Sequence, residues 1–174
     1  MRRILLSLAG VALLALTVAA LAGAAAKAKP GFLVVRKAQN DGGLYGSPVV
    51  TLVVQGFVLG SASQEARVDI YHLPSTSGGG APQAVGPDVL HTLVRWRGFT
   101  GTRYSGSGFR FRAIGGAYRV VIRGSGVSLF AGGHGRVTLQ GSRVYRRHDG
   151  HYSLGGRAFR SLPALPATVN FGRG

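Results

Sequence analysis

The feature that most limits the fold of this chain is its succession of short β-branched and aromatic runs, which glycine pairs interrupt. A helix needs apolar residues at a period of about 3.6, and no segment after residue 26 keeps that period over a useful length. Short runs separated by glycine turns are typical of hairpins and meanders. The sequence therefore predicts strands at residues 32–36, 49–59, 67–72, 89–95, 109–114, 118–123, 127–131, 136–140, 144–148, 151–154, 158–162 and 168–171.

This strand spacing predicts an all-β fold, either an antiparallel β-sandwich or a barrel-like meander, preceded by an N-terminal signal helix. Removing residues 1–26 from the 174 leaves 148, enough for one β domain over residues 27–174 with a sizeable core. Residues 74–88 are predicted to be a flexible surface loop within it. A weak echo between residues 56–70 and 126–139 leaves open two similar halves, although chance similarity of two amphipathic hairpins is the simpler explanation.

The N-terminal segment has the three parts of an export signal. Arg2 and Arg3 precede a run from Ile4 to Ala26 that contains no charged residue, and its small-residue end offers Ala-x-Ala cleavage sites. Residues 1–26 are therefore predicted to be a signal peptide, and the protein to be secreted or held at the outer face of the cell membrane or envelope. The alternative is an uncleaved membrane anchor, because 23 uncharged residues can cross a bilayer core of about 30 Å.

Charge and cysteine content limit the partners of the predicted domain. Of 21 Lys and Arg residues two lie in the signal, so the five acids leave 19 − 5 = +14. Such an excess favours attraction to anionic envelope polymers or a membrane surface, and no specific nucleic acid is predicted. A G- and C-rich genome explains the preference for Arg over Lys, but not the scarcity of acids. Without cysteine, disulfides and thiolate zinc sites are excluded.

The segment 108–123 carries the candidate anion-binding residues. Gly115-Gly116 is interpreted as a two-residue hairpin turn, since glycine tolerates the positive φ that tight turns need. That register places Arg112 opposite Arg119, with Arg110 and Arg123 on the same side, and like charges in a ladder repel. The four arginines are therefore predicted either to share an anion or to splay outward and cover apolar surface with their stems.

A second hairpin is predicted around the Asp149-Gly150 turn. His148 and His151 would face each other across it, and with Asp149 they are weak candidates for metal ligands. An exposed polar hairpin tip is the simpler interpretation, because a metal site usually needs three or four fixed ligands. No cofactor is predicted.

No catalytic motif is present: the sequence lacks a nucleophile elbow, a zincin motif, a P-loop and a dinucleotide fingerprint. The favoured function is a non-enzymatic exported envelope or extracellular module that binds anionic polymers or lipid head groups. The alternative is an exported hydrolase with an unrecognised site that uses His72, His91 or the pair His148 and His151.

Residues 109–126, followed by Gly135-Arg136-Val137-Thr138-Leu139 and Gly150-His151-Tyr152-Ser153-Leu154, resemble a recurrent block of small exported proteins. These proteins form an uncharacterised β-rich family of high-GC Gram-positive bacteria, and the similarity extends over roughly residues 105–165, with a weaker likeness in 32–72. The resemblance implies export and β architecture, and it supplies no active-site residues.

Overall fold

A computed structural model describes residues 30–38, 49–74, 78–141 and 150–172. These residues contain strands and no helix, which confirms the all-β prediction, while the predicted signal helix lies outside the described ranges. No helix in these ranges is long and apolar enough to cross a membrane. The strands are β1 (Gly31–Ala38), β2 (Val49–Ala62), β3 (Ala66–Leu73), β4 (Gln83–Val85), β5 (Leu90–Trp96), β6 (Phe99–Gly106), β7 (Phe109–Gly124), β8 (Val127–Gln140), β9 (His151–Leu154), β10 (Arg160–Ser161) and β11 (Ala167–Phe171).

All eleven strands belong to one antiparallel sheet that does not close into a barrel. The strand order is β10-β9-β1-β8-β2-β7-β3-β6-β5, and β11 and β4 pair with β8 and β7 outside this path. Three long strands, β8, β2 and β7, form the middle of the sheet. Strand β2 pairs along its whole length with both β7 and β8, so it is the central strand of this part of the sheet.

A row of glycines divides the three long strands into two ends. Gly56 of β2 pairs with Gly116 of β7 and with Gly133 of β8. At the β3 end, residues 49–55, 117–124 and 135–140 are flanked by β3 and β11. At the β4 end, residues 57–62, 109–114 and 127–132 are flanked by β4 and β1. The chain passes through this row with φ = +148° at Gly56, a conformation that side chains disfavour.

The predicted hairpin turn at Gly115-Gly116 is wrong. Both glycines lie inside the 16-residue strand β7, which runs straight through from Phe109 to Gly124. Gly56 pairs with Gly116 and Phe57 with Ile114, so Gly115 is the extra residue of a β-bulge, with φ = +75°. The bulge shifts the side-chain alternation by one residue, which keeps the apolar residues of both parts of β7 on one side of the sheet.

Other strand predictions differ from the structure where a local signal was weak or ambiguous. The predicted strands 127–131 and 136–140 are two parts of β8, because Gly132 to Gly135 continue the ladder with β2. Strand β4 lies inside residues 74–88, which were predicted to be a flexible loop, and strand β6 was not predicted. The predicted strand 158–162 is present only as the two residues of β10. The predicted strand 144–148 lies outside the described residues.

The hydrophobic core lies on one face of this single sheet. Leu52, Ile70 and Val120 of the β3 end belong to the same buried cluster as Leu33 and other residues of the β4 end. Since no other layer covers that face in the described part of the chain, the sheet has to curve over its own core. The opposite face points outward at both ends, and it carries the candidate site.

Candidate functional site

The four predicted anion-binding arginines all lie on the outer side of β7, but in two separate pairs. Arg110 and Arg112 lie at the β4 end, whereas Arg119 and Arg123 lie at the β3 end. Arg112 therefore does not face Arg119, because the hairpin that would have paired them is absent. Anion binding by these residues stays a prediction, and it has to be considered for each pair by itself.

The members of these pairs have different neighbours. The Arg112 guanidinium donates two hydrogen bonds to Oε1 of Gln83, at 2.9 and 2.7 Å. Arg123 lies directly opposite Arg67 of β3, a like-charged cross-strand pair that was not predicted. Nε of Arg67 is buried and has no hydrogen-bond partner among the described residues. Two cations and a donor without a partner increase the positive potential at the β3 end.

Arg119 has the most enclosed position of the four. Its guanidinium carbon lies 4.1 Å from the ring centroid of Trp96 and 5.5 Å from that of Tyr71. Burial lowers the pKa of Arg119 from its ordinary value; Tyr71 and Asp69 raise it, and the charge of Arg97 lowers it again. Arginine stays protonated at neutral pH, so Arg119 is a partly desolvated, aromatic-stacked cation.

A tight turn brings Trp96 to this position. Strands β5 and β6 are joined by Arg97 and Gly98, which have φ = +48° and +84° and form the two-residue turn that favours hairpins. Trp96 stacks on Phe99 across this turn, with ring centroids 5.9 Å apart. Arg97 also contacts Trp96, at 5.3 Å from the ring centroid.

Cross-strand register places hydroxyl groups beside these cations. Thr168, Thr138 and Thr51 are paired in one row across β11, β8 and β2. The hydroxyls of Thr138 and Thr168 are hydrogen-bonded at 2.8 Å. In the adjacent row, Arg136 of β8 and Arg119 of β7 flank Val53. Two guanidinium groups therefore lie next to three threonines on one surface.

These residues line a concave depression of about 390 Å³. We call the surface the arginine–threonine face and define it by the lining residues Thr51, Val53, Trp96, Arg97, Arg119, Arg136, Thr138 and Thr168. A second depression of about 410 Å³ shares Val53 and Arg136 with it and extends to Gln55, His134 and Asn170. The two depressions adjoin at Val53 and Arg136 and together form a groove with cationic side chains along it, which suits an extended anionic ligand.

The carboxylate in the register rows of this face is already paired. Both oxygens of Asp69 accept hydrogen bonds from Arg103, at 2.6 and 2.7 Å. This bond raises the pKa of the Arg103 guanidinium above its ordinary value. Because the bidentate pair uses the carboxylate of Asp69, its charge does little to neutralise Arg119 and Arg136.

The candidate histidines are spread over different strands. His72 packs on the ring of Tyr118 with centroids 5.3 Å apart, and His91 is exposed on β5. His151 of β9 faces Arg36, while His148 and Asp149 lie outside the described residues. In the part of the chain that the structure covers, no three His, Asp or Glu residues form a group that could hold a metal ion.

Sequence reasoning named Arg119 and Arg123 but missed Arg136 and the three threonines. Alternation along residues 136–140 could have placed Arg136 and Thr138 on one outer face. It could not show that this face adjoins Arg119, because β7 and β8 become neighbours of β2 through long-range pairing.

The fold and this groove define an all-β protein built on one curved antiparallel sheet with a cationic, hydroxyl-lined outer face. Comparison with models of known protein families, with curated proteins and with solved structures finds no match to this chain. A functional assignment therefore has to come from the chemistry of the site.

Proposed function

We propose that the protein is a non-enzymatic, exported envelope or extracellular module that binds an anionic polymer at the arginine–threonine face. The polymer would present phosphate or carboxylate groups along an extended chain. The shared groove of the two depressions, with Arg136 in both, supports an extended ligand over a single small ion.

The observation that carries the proposal is the position of Arg119 and Arg136 on either side of Val53, above a row of threonine hydroxyls. Guanidinium groups recognise phosphate and carboxylate through paired hydrogen bonds, and hydroxyls donate further bonds to the same oxygens. Arg119 is held in place by Trp96 and Tyr71, so little side-chain entropy is lost when it binds.

Three sequence expectations belong to this proposal. The predicted export of the chain and its resemblance to small exported β-rich proteins both favour a location in the cell envelope, where anionic polymers are abundant. The sandwich arrangement, with the two ends of the curved sheet packed face to face, supplies a rigid scaffold for the groove. A membrane surface carries phosphate groups as well, so lipid head groups offer the same chemistry from another source.

The test is the salt dependence of binding to linear polyphosphate, measured by fluorescence anisotropy over a series of NaCl concentrations. The double variant Arg119→Gln/Arg136→Gln should bind about tenfold more weakly per arginine, since a hydrogen bond to a charged group contributes about 1.5–3 kcal/mol. The slope of log affinity against log salt should fall by about 1.4, because each lost phosphate contact contributes about 0.7 on a single-stranded polyanion.

The charge-matched control is Arg95→Gln/Arg157→Gln, which removes two exposed arginines outside the groove. It should keep most of the affinity. An equal loss in this control, or in Arg110→Gln/Arg112→Gln, would mean that the polymer responds only to total charge, and the site would be refuted. Polyglutamate and vesicles with anionic lipid are run with the same variants, and the ligand whose binding is weakened by Arg119→Gln/Arg136→Gln shows whether this face takes a carboxylate polymer, a head group or a phosphate polymer.

A further inference from the structure

The outer face of the β4 end has a polarity gradient along its strands. On β1, β8, β2 and β7 its first register row, nearest the glycine row, consists of apolar side chains and one glycine; the second mixes apolar residues with one arginine; the third contains serines and an arginine. At the edge, Gln83 and Val85 of β4 adjoin Arg112 and Arg110. We call this surface the phenylalanine face, and its rows are Phe32, Gly132, Phe57 and Ile114; then Val34, Phe130, Leu59 and Arg112; then Ser128, Ser61 and Arg110.

Large apolar side chains on this face are exposed. Phe32 is 43% and Ile114 49% exposed, and Leu59 and Phe130 are each 38% exposed. Phe32 stacks on Phe130 with centroids 5.8 Å apart, and Phe57 contacts the same ring at 5.4 Å. A contiguous exposed cluster of this kind marks an interaction surface.

Basic residues occupy the other end of the gradient. Arg36 lies beside the third row, and it lines a depression of about 480 Å³ together with Arg110, Ser61 and Ser128, with Val34 and Phe130 on the apolar side. No carboxylate lies in the three rows. A second copy of this chain would bring the same arginines into contact with each other, so charge complementarity favours an anionic occupant.

The dimensions of the gradient match the boundary of a bilayer. Rows two residues apart along a strand are separated by about 6.7 Å, so the first and third rows are about 13 Å apart. Amphipathic surfaces insert about 5–10 Å into the boundary between acyl chains and head groups. The first row would then reach the acyl chains while Arg36 and Arg110 stay at the level of the phosphates.

The chain sequence places the apolar end of this face beside the N-terminal apolar run. The uncharged residues 4–26 end six residues before Phe32, which limits the separation of residue 26 and Phe32 to about 21 Å. Lys27 and Lys29 add positive charge in between. If the run of residues 4–26 enters a bilayer, this short connection holds the first row of the phenylalanine face close to the surface of that bilayer.

We propose that the phenylalanine face docks on an anionic lipid bilayer, with its first row at the acyl boundary and its arginines on the lipid phosphates. The inference is independent of polymer binding, because it uses the other end of the sheet. With the face on the membrane, the arginine–threonine face stays available for a polymer.

The test uses the full chain reconstituted in vesicles of phosphatidylcholine with phosphatidylglycerol, or of phosphatidylcholine alone. Because the chain has no cysteine, a fluorophore can be attached at one site by L59C, S61C or T51C, all on the outer side of β2. Nitroxide lipids labelled at the head group or high in the acyl chain report lipid contact, and iodide reports exposure to water.

In anionic vesicles we expect the label at position 59 to be quenched by the acyl nitroxide and the label at 61 by the head-group nitroxide. The label at 51, at the β3 end, should be quenched by iodide alone. Equal lipid quenching at 51 and 59, or iodide quenching alone at all three, overturns the proposal. Shielding of position 59 from iodide without lipid quenching indicates a covering protein copy, which also overturns it.

Charge is tested by Arg36→Gln/Arg110→Gln in the chain labelled at position 59. Each arginine near an anionic surface contributes about fivefold to the docking equilibrium, so the docking equilibrium constant should fall by about 25-fold. The control Arg95→Gln/Arg157→Gln removes two exposed charges outside the rows and should retain docking. Equal quenching in vesicles of phosphatidylcholine alone would overturn the role of anionic lipid.

Discussion

The two outer faces of this protein are built on the same three long strands and differ in almost every chemical property. Strand β2 contributes Thr51 and Val53 to the arginine–threonine face, and Phe57 and Leu59 to the phenylalanine face. One is a concave polar groove, and the other is an exposed aromatic surface with a basic margin. The comparison teaches that a long strand can carry two independent surfaces when its ends have different neighbours.

The neighbouring strands account for the difference in shape. At the β3 end the β5–β6 hairpin returns Trp96 to Tyr71, with ring centroids 6.0 Å apart, and so forms one wall of the groove. At the β4 end no such hairpin is present among the described residues: β4 beside β7 has three residues, and on the β1 side Phe32 and Phe130 stay exposed. The outer strands therefore account for the different shapes of the two faces, which share the three long strands.

The largest effect is expected from a substitution that breaks the boundary between the two ends. A side chain at Gly56 would place its Cβ 2.1 Å from the carbonyl oxygen of Gly132, at a φ of +148°. G56V should therefore lower the free energy of unfolding by about 3 kcal/mol or more, because the backbone strain and the collision add. Urea unfolding followed by circular dichroism measures this change.

Gly78 offers the matched control, since a Cβ there meets nothing within 4 Å. G78A should leave the unfolding midpoint within about 0.5 kcal/mol of the unsubstituted protein, as surface changes usually do. If G56V is as stable as G78A, the glycine row is not the structural boundary that separates the two faces.

Local patterns predicted much of the sheet but not its continuity. Strand β9 was predicted with the observed bounds, and β2, β3 and β11 to within three residues, because alternation and turn signals agree there. Gly115-Gly116 satisfies the local rule for a hairpin turn equally well. Only pairing with β2 makes it a bulge, and a partner some sixty residues away leaves no local signal.

The candidate site was predictable only as a list of charges. Arg119 was named from the hairpin register at Gly115-Gly116, which is wrong, and the residue nevertheless lines the groove. Trp96 and Thr168 reach the same groove from the β5–β6 turn and from β11, and the strand order that brings them together is not consecutive. The amino-acid composition predicts that the electrostatic potential of the surface is positive, whereas the pairing register of the strands determines where the positive charges lie together.

An intermediate effect is expected when the ion pair of Asp69 and Arg103 beside the arginine–threonine face is removed. D69N removes the ion pair with Arg103, whose side chain is 33% exposed, and should lower the free energy of unfolding by about 1–2 kcal/mol. The same change leaves the charge of Arg103 unpaired in the register row that also contains Thr51, Val121 and Asp69, and should strengthen polyphosphate binding a few-fold, since exposed charges act over about 10 Å. Urea unfolding and anisotropy measure the two effects on one sample.

E65Q is the control for D69N, since Glu65 is an exposed acid in the turn between β2 and β3. It changes the net charge equally, so any general electrostatic effect should appear in both variants. Polyphosphate affinity that rises equally in E65Q and D69N would show that binding does not depend on the arginine–threonine face.

The smallest effect is expected from R119K, which keeps the charge and removes the planar guanidinium between Trp96 and Tyr71. Loss of the cation–π contact should lower the free energy of unfolding by about 0.5–1 kcal/mol. Trp96 is the single tryptophan of the chain, so its emission should shift in R119K and stay unchanged in R112K, whose arginine bonds to Gln83 at the other end.

Polyphosphate affinity should fall only a few-fold in R119K, because an ammonium still attracts the anion but cannot bind it through two parallel bonds. A loss as large as that of a glutamine at this position would mean that geometry outweighs charge, and an unchanged emission would place Arg119 away from the tryptophan. Either outcome alters the comparison, because the rigidity of one arginine is what distinguishes the groove from the basic margin of the phenylalanine face.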